Sequence, residues 1–165
     1  MFCLNCLGKM TLNKSPKKIL LLSANPRDTI RLRVDQELRE IEEVLQNSIN
    51  RDRFQLIPKT AVRTRDLQQI MLHNQPHIVH FSGHGQGNQG LVFEDIQGIT
   101  KIVSTKALAD LFGLFVSSVE CVVLNACYSV EQARAIADHV DYVVGMKQEL
   151  GDQAAIAYSQ GFYRA

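Results

Sequence analysis

The chain has 165 residues, 45 % of them hydrophobic and 21 % charged, with a formal net charge of +1. That length suits one domain with a core of its own. The near-neutral balance excludes a field strong enough to gather nucleic acid or an anionic membrane surface, and no apolar run reaches the ~18–20 residues of a membrane span.

Residues 1–17 are mildly apolar and then basic. A secretory signal has the opposite order and ends in a small-residue cleavage site. The stretch reads as a flexible leader before a domain at 18–165, and the protein as cytoplasmic. Cys3 and Cys6 form one C-x-x-C. No second pair follows at zinc-finger spacing, and no strand precedes it as in a redox motif, so no specific role is expected there.

"KILLLSANP" (18–26) is a short buried strand closed by Asn25-Pro26. Ile30, Val34, Leu38, Ile41 and Leu45 then mark one face of a long helix, which Asp28 or Thr29 can cap. "RFQLIP" (53–58) is a second strand, and Leu67, Ile70 and Met71 mark a second helix. "PHIVHFSG" (76–83) is a third strand. "GLVFEDIQGITKIVS" gives two short strands around a turn at Gln97-Gly98. "TKALADLFGLF" is a helix. "SVECVVLNAC" (118–127) is the most apolar strand, so Cys121 reads as a small buried hydrophobe. The next helix opens with Ser129 and Gln132 at capping-box spacing. "DYVVGM" is a strand, and a last helix begins at "DQAAIAYSQGFYRA".

Strands alternating with helices predict an α/β fold, a mostly parallel central sheet with helices on both faces. Sites in such sheets form at the carboxyl ends of the strands. Those ends are Asn25-Pro26, Ser82–Gly85, Asn125–Tyr128 and Gly145-Met146.

"HFSGHGQGNQG" (80–90) can be read in two ways. Gly85, Gly87 and Gly90 outline G-x-G-x-x-G. A dinucleotide loop, however, leads from a strand into a helix that holds the pyrophosphate. Here "LVFED" follows, which alternates like a strand, so a nucleotide-binding flavodoxin-like domain rests on the glycines alone. In the second reading His84 is held at the sheet rim between two glycines. Cys127 ends the next long strand just before a helix, where the helix dipole and unpaired N–H groups favour a nucleophilic thiol. Together they form a cysteine–histidine dyad, with His84 as general base, Cys127 as nucleophile, and the N–H groups of Gly85 and Cys127 as an oxyanion hole. His73, His77, His80 and His84 would share a helix face, but Pro76, Gly83 and Gly85 argue against a helix and hence against a metal site. His80 is expected to hydrogen-bond near the site or within the core.

"ILLLSANPRDTIRLRVDQELREIEEVL", "IVHFSGHGQGNQGLVFED" and "VVLNACYS" resemble the CHAT domain, a bacterial relative of caspases and separases. The resemblance covers about residues 18–165. It implies a three-layer, caspase-like sandwich and a cysteine endopeptidase of regulated proteolysis, working through a His84–Cys127 dyad and a thioester. It implies no metal or organic cofactor, a protein or peptide substrate, and a regulatory protein acting in trans. Some relatives carry an acid two positions before the cysteine to hold a basic P1 side chain; here that position is Asn125. Asp28 stands where basic-specific relatives place another pocket acid, or else it caps the helix. Asp28, Asn125 and Ser82 are the candidate substrate-binding residues. Relatives usually continue past "GFYRA", so a catalytically inactive or partner-dependent CHAT-fold binding module is the alternative expectation.

Overall fold

Hydrophobic alternation along the first strand sets up two opposite cores. In the computed structural model, which describes residues 15–164, β1 (Lys17–Ser23) is buried from Ile19 onward. Ile19 and Leu21 face one cluster with Ile41 and Leu45. Leu20 and Leu22 face a larger cluster with Met71, Phe93, Leu108, Phe112 and Ile136. A strand covered on both faces reads as a continuous apolar run, which is what "ILLL" is.

Five strands lie parallel in the order β2 (Phe54–Lys59), β1, β3 (Ile78–Ser82), β6 (Cys121–Asn125), β7 (Tyr142–Gly145). On one face α1 (Val34–Gln46) packs beside α5 (Asp152–Arg164). On the other lie α2 (Leu67–Asn74), α3 (Thr105–Gly113), α4 (Val130–Ile136) and the antiparallel hairpin of β4 (Leu91–Glu94) and β5 (Thr100–Val103). This is the three-layer α/β architecture that the pattern predicted. No helix among the described residues is long and apolar enough to cross a membrane. Cys3, Cys6 and the leader as far as residue 14 lie outside the described residues.

Two local expectations are corrected. The first long helix starts at Val34, not near Asp28, and Ile30 is 83 % exposed instead of on its buried face. Asn25 explains this. Its side chain donates to the Leu32 carbonyl at 2.9 Å and accepts from the Leu32 N–H at 3.1 Å. That staple holds 25–32 as a closed loop, so the backbone bonds a helix would need are satisfied elsewhere. Ser129 and Gln132 do not form a capping box. The Ser129 hydroxyl donates to the Leu124 carbonyl and accepts from the Met146 N–H, joining β6 to the segment after β7. Gln132 donates to the Gly87 carbonyl and to Thr105 Oγ1.

The sheet order changes direction between β1 and β3. β2 lies outside β1, whereas β6 and β7 continue from β3. At such a point the loops leave in opposite directions and open a crevice. Its walls are the 25–33 loop, the 83–90 loop, the 126–129 turn and the start of α5.

Candidate functional site

Period-two alternation decides what looks into this crevice. Val79 and Phe81 of β3, with Val122 and Leu124 of β6, belong to the large core. Their neighbours His80, Ser82 and Asn125 therefore point toward α1 and α5. There they meet Glu37, which is 4 % exposed and stands four residues before Ile41 on the inward stripe of α1. Glu37 Oε1 accepts from His80 Nε2 at 3.1 Å, Asn125 Nδ2 at 2.6 Å and Ser159 Oγ at 2.5 Å; Oε2 accepts from Ser82 Oγ. His80, fully buried, also pairs through Nδ1 with the Tyr163 hydroxyl at 3.1 Å and stacks on its ring. One carboxylate thus joins α1, β3, β6 and α5.

The charge state of this cluster follows from its donors. Burial is the largest single influence on Glu37 and opposes ionisation. The hydrogen bond from His80, attraction to its ring, and the hydroxyls of Ser159 and Ser82 outweigh it, so the carboxyl titrates below its ordinary 4.5. Burial, above all, lifts Tyr163 far above its ordinary 10, so it stays a phenol.

Above this layer lies a shallow cleft that opens to solvent. His84 and Cys127 both line it, as do Ser82, Asn125 and Glu37. His84 follows β3 and Cys127 follows β6, strands that pair directly, with Ser82 opposite Asn125. His84 Nε2 lies 2.7 Å from the Ile30 carbonyl oxygen. A carbonyl only accepts, so Nε2 carries the proton and Nδ1 is the basic nitrogen. Cys127 Sγ accepts from the Leu150 N–H at 3.5 Å. No hydrogen bond joins His84 to Cys127 among the described residues; each is held by a backbone group from a different loop.

The backbone around both residues is tightly set. A Cβ at Gly85 would overlap the Cys127 carbonyl oxygen, so only glycine lets the two loops touch. Tyr128, directly after Cys127, has φ 53, a left-handed conformation that few side chains adopt. It turns the chain sharply between β6 and α4. The N–H groups of Gly85 and Cys127 have no acceptor among the described residues.

The structure therefore brings His84, Cys127, Gly85, Ser82 and Asn125 together. Asp28 is elsewhere. Its carboxylate accepts from the N–H and hydroxyl of Thr100, at 2.9 and 3.0 Å, and ties the 25–33 loop to β5. Of the other histidines, His77 Nδ1 accepts from the Lys18 N–H. Sequence reasoning missed Glu37, Ser159, Tyr163 and the Ile30 carbonyl. Glu37 left a signal, an acid on the apolar stripe of α1. The Ile30 carbonyl left none, since a main-chain atom has no sequence signature.

The CHAT domain family matches residues 9–164 of the chain. A protein of Gillisia limnaea named "Probable protease" is 29 % identical over 164 residues, covering 98 % of this chain and 29 % of that protein. A "Roc-COR-CHAT protease" from an unknown prokaryotic organism is 33 % identical over 155 residues, covering 90 % of this chain and 15 % of that protein. The chain spans less than a third of the length of either relative.

Proposed function

The chain belongs to the CHAT domain family, and on that premise we propose that it is a cysteine endopeptidase with Cys127 as nucleophile and His84 as its base. The observation that carries this reading is the hydrogen bond from His84 Nε2 to the Ile30 carbonyl, in the cleft that Cys127 also lines. That bond leaves Nδ1 as a proton acceptor and fixes the ring plane. It supplies the third, orienting group that an activated nucleophile and its base require.

In the proposed reaction the Cys127 thiol proton passes to His84 Nδ1 as Sγ bonds to the peptide carbonyl carbon. The carbonyl oxygen takes up the negative charge. The free N–H groups of Gly85 and Cys127 would receive it, and donors so placed contribute about 3–4 kcal/mol to acyl transfer. Collapse breaks the C–N bond, and imidazolium returns the proton to the leaving amine. A thioester on Cys127 remains. Water then attacks it, giving one proton to His84 and its hydroxyl to the acyl carbon, and the thiol is restored by that proton. The substrate is a protein or peptide.

The test is labelling of the purified chain with irreversible peptidyl electrophiles, the adduct being located by mass spectrometry. Adduct on Cys127 is expected in wild type, with a large loss of labelling rate in His84→Ala. A well-folded wild type that takes no peptidyl label at Cys127 would instead make this chain a CHAT-fold binding module.

A further inference from the structure

Given the nucleophile proposed above, the cleft beside Cys127 receives the side chain before the scissile bond. Its walls and its floor differ in chemistry. Leu32, Val34, Ala155 and Ile156 present apolar surface, whereas Asn125, Ser82 and Glu37 form a polar end. Arg33 and Asp152 also line it and carry opposite charges. Glu37 fixes how Asn125 points. A carboxylate only accepts, so the Asn125 amide group must face it, and Nδ2 there donates to Glu37, Ser159 and the Ala155 carbonyl. The amide oxygen consequently points away from Glu37, and it accepts no hydrogen bond among the described residues. Its electron density is increased by the ionised acceptor behind its own N–H groups.

The Glu37 charge is solvated by hydroxyls and an amide, with no lysine or arginine bonded to it among the described residues; its one ionisable donor is His80. We propose that the cleft takes a lysine or arginine side chain, with Asn125 Oδ1 accepting from its cationic head and Glu37 supplying the charge behind Asn125. The aliphatic stem of such a residue suits the apolar walls. A carboxylate in the same place would face Asn125 Oδ1, an acceptor that can donate nothing to it. The acid at the floor comes from α1, so Asn125 can be neutral two positions before the cysteine.

Peptidyl electrophiles identical except for lysine, norleucine or glutamate at P1 test this through the rate of Cys127 labelling. Norleucine keeps the stem and drops the charge, so the lysine-to-norleucine ratio within each protein is free of changes in thiol reactivity. A ratio of about 10 or more is expected for wild type, the range of a charge-assisted hydrogen bond, with glutamate slowest. Glu37→Gln is expected to bring the ratio close to 1. Should Glu37→Gln fail to fold, Asn125→Leu is read in its place, with the same expectation. Asn125→Asp, which brings the charge into the cleft itself, is expected to keep or raise the ratio. A wild-type ratio near or below 1, or one unchanged in a folded Glu37→Gln or Asn125→Leu, would overturn the proposal while Cys127 labelling leaves the peptidase reading standing. No label with any P1 would remove both.

Discussion

Gly85 and Cys127 are in backbone contact: the space for a Cβ at Gly85 is already occupied by the Cys127 carbonyl oxygen. The contact joins the loop after β3 to the turn after β6. It sets where His84 lies relative to Cys127, because His84 adjoins Gly85 and its own carbonyl is bonded to the Val92 N–H. Gly85→Ala is therefore expected to force the two loops apart. The change should cost about 1–3 kcal/mol of stability, as overpacking does, and suppress peptidyl labelling of Cys127 more than that loss explains. Thermal melting and labelling rates measured on the same sample separate the two effects. Labelling at the wild-type rate would show that the loops tolerate the shift and that the contact does not position the site.

Asn25 offers a second, remote control over His84. Its side chain closes the 25–32 loop through both polar groups of Leu32, and its N–H donates to Glu94 at 3.0 Å. That loop carries the Ile30 carbonyl to which His84 is bonded. Asn25→Ala removes the staple and leaves the sheet intact. Labelling of Cys127 is expected to fall about 10- to 100-fold, the scale of a small misplacement of a catalytic group, with a much smaller change in melting temperature. Labelling at the wild-type rate would mean that the Ile30 bond holds without the staple.

The mostly parallel sheet, and the placing of His84 and Cys127 just after two long apolar strands, were legible because apolar runs and glycine-flanked polar residues carry them directly. The start of α1 was not. The spacing of Ile30 fits the helical stripe, but Asn25 satisfies the backbone of that segment first, and side-chain to backbone competition of this kind leaves no periodic trace. Ser129 and Gln132 mimic a capping box for a similar reason. Both residue types bond well to local backbone, and only the tertiary structure shows that their partners are Leu124, Met146, Gly87 and Thr105. Glu37 was readable in part. An acid four residues before Ile41 breaks an apolar face, and such a break calls for buried donors, which only the fold can supply.

Glu37 also gives the fold a signature in acid. Burial penalises its charge most strongly, but His80, Ser159 and Ser82 together hold the folded carboxyl below the ordinary 4.5. In mild acid the unfolded chain then binds more protons than the folded one, so stability rises with pH through that window. The stabilisation is complete above about 4.5 and is lost as pH falls through the folded value. Glu37→Gln keeps the shape and removes the charge, leaving His80, Ser82 and Ser159 with a weaker acceptor. It is expected to cost about 1–3 kcal/mol at pH 7. The difference from wild type should shrink below pH 4.5, where wild type itself becomes protonated. Urea denaturation of both proteins at pH 7 and in steps down to pH 3 reads this directly. A difference that stays constant across the series would show that the folded carboxyl titrates as it does in the unfolded chain, and one that moves in wild type's favour as the pH falls would show a carboxyl kept neutral by the fold, with the charge proposed to act behind Asn125 absent.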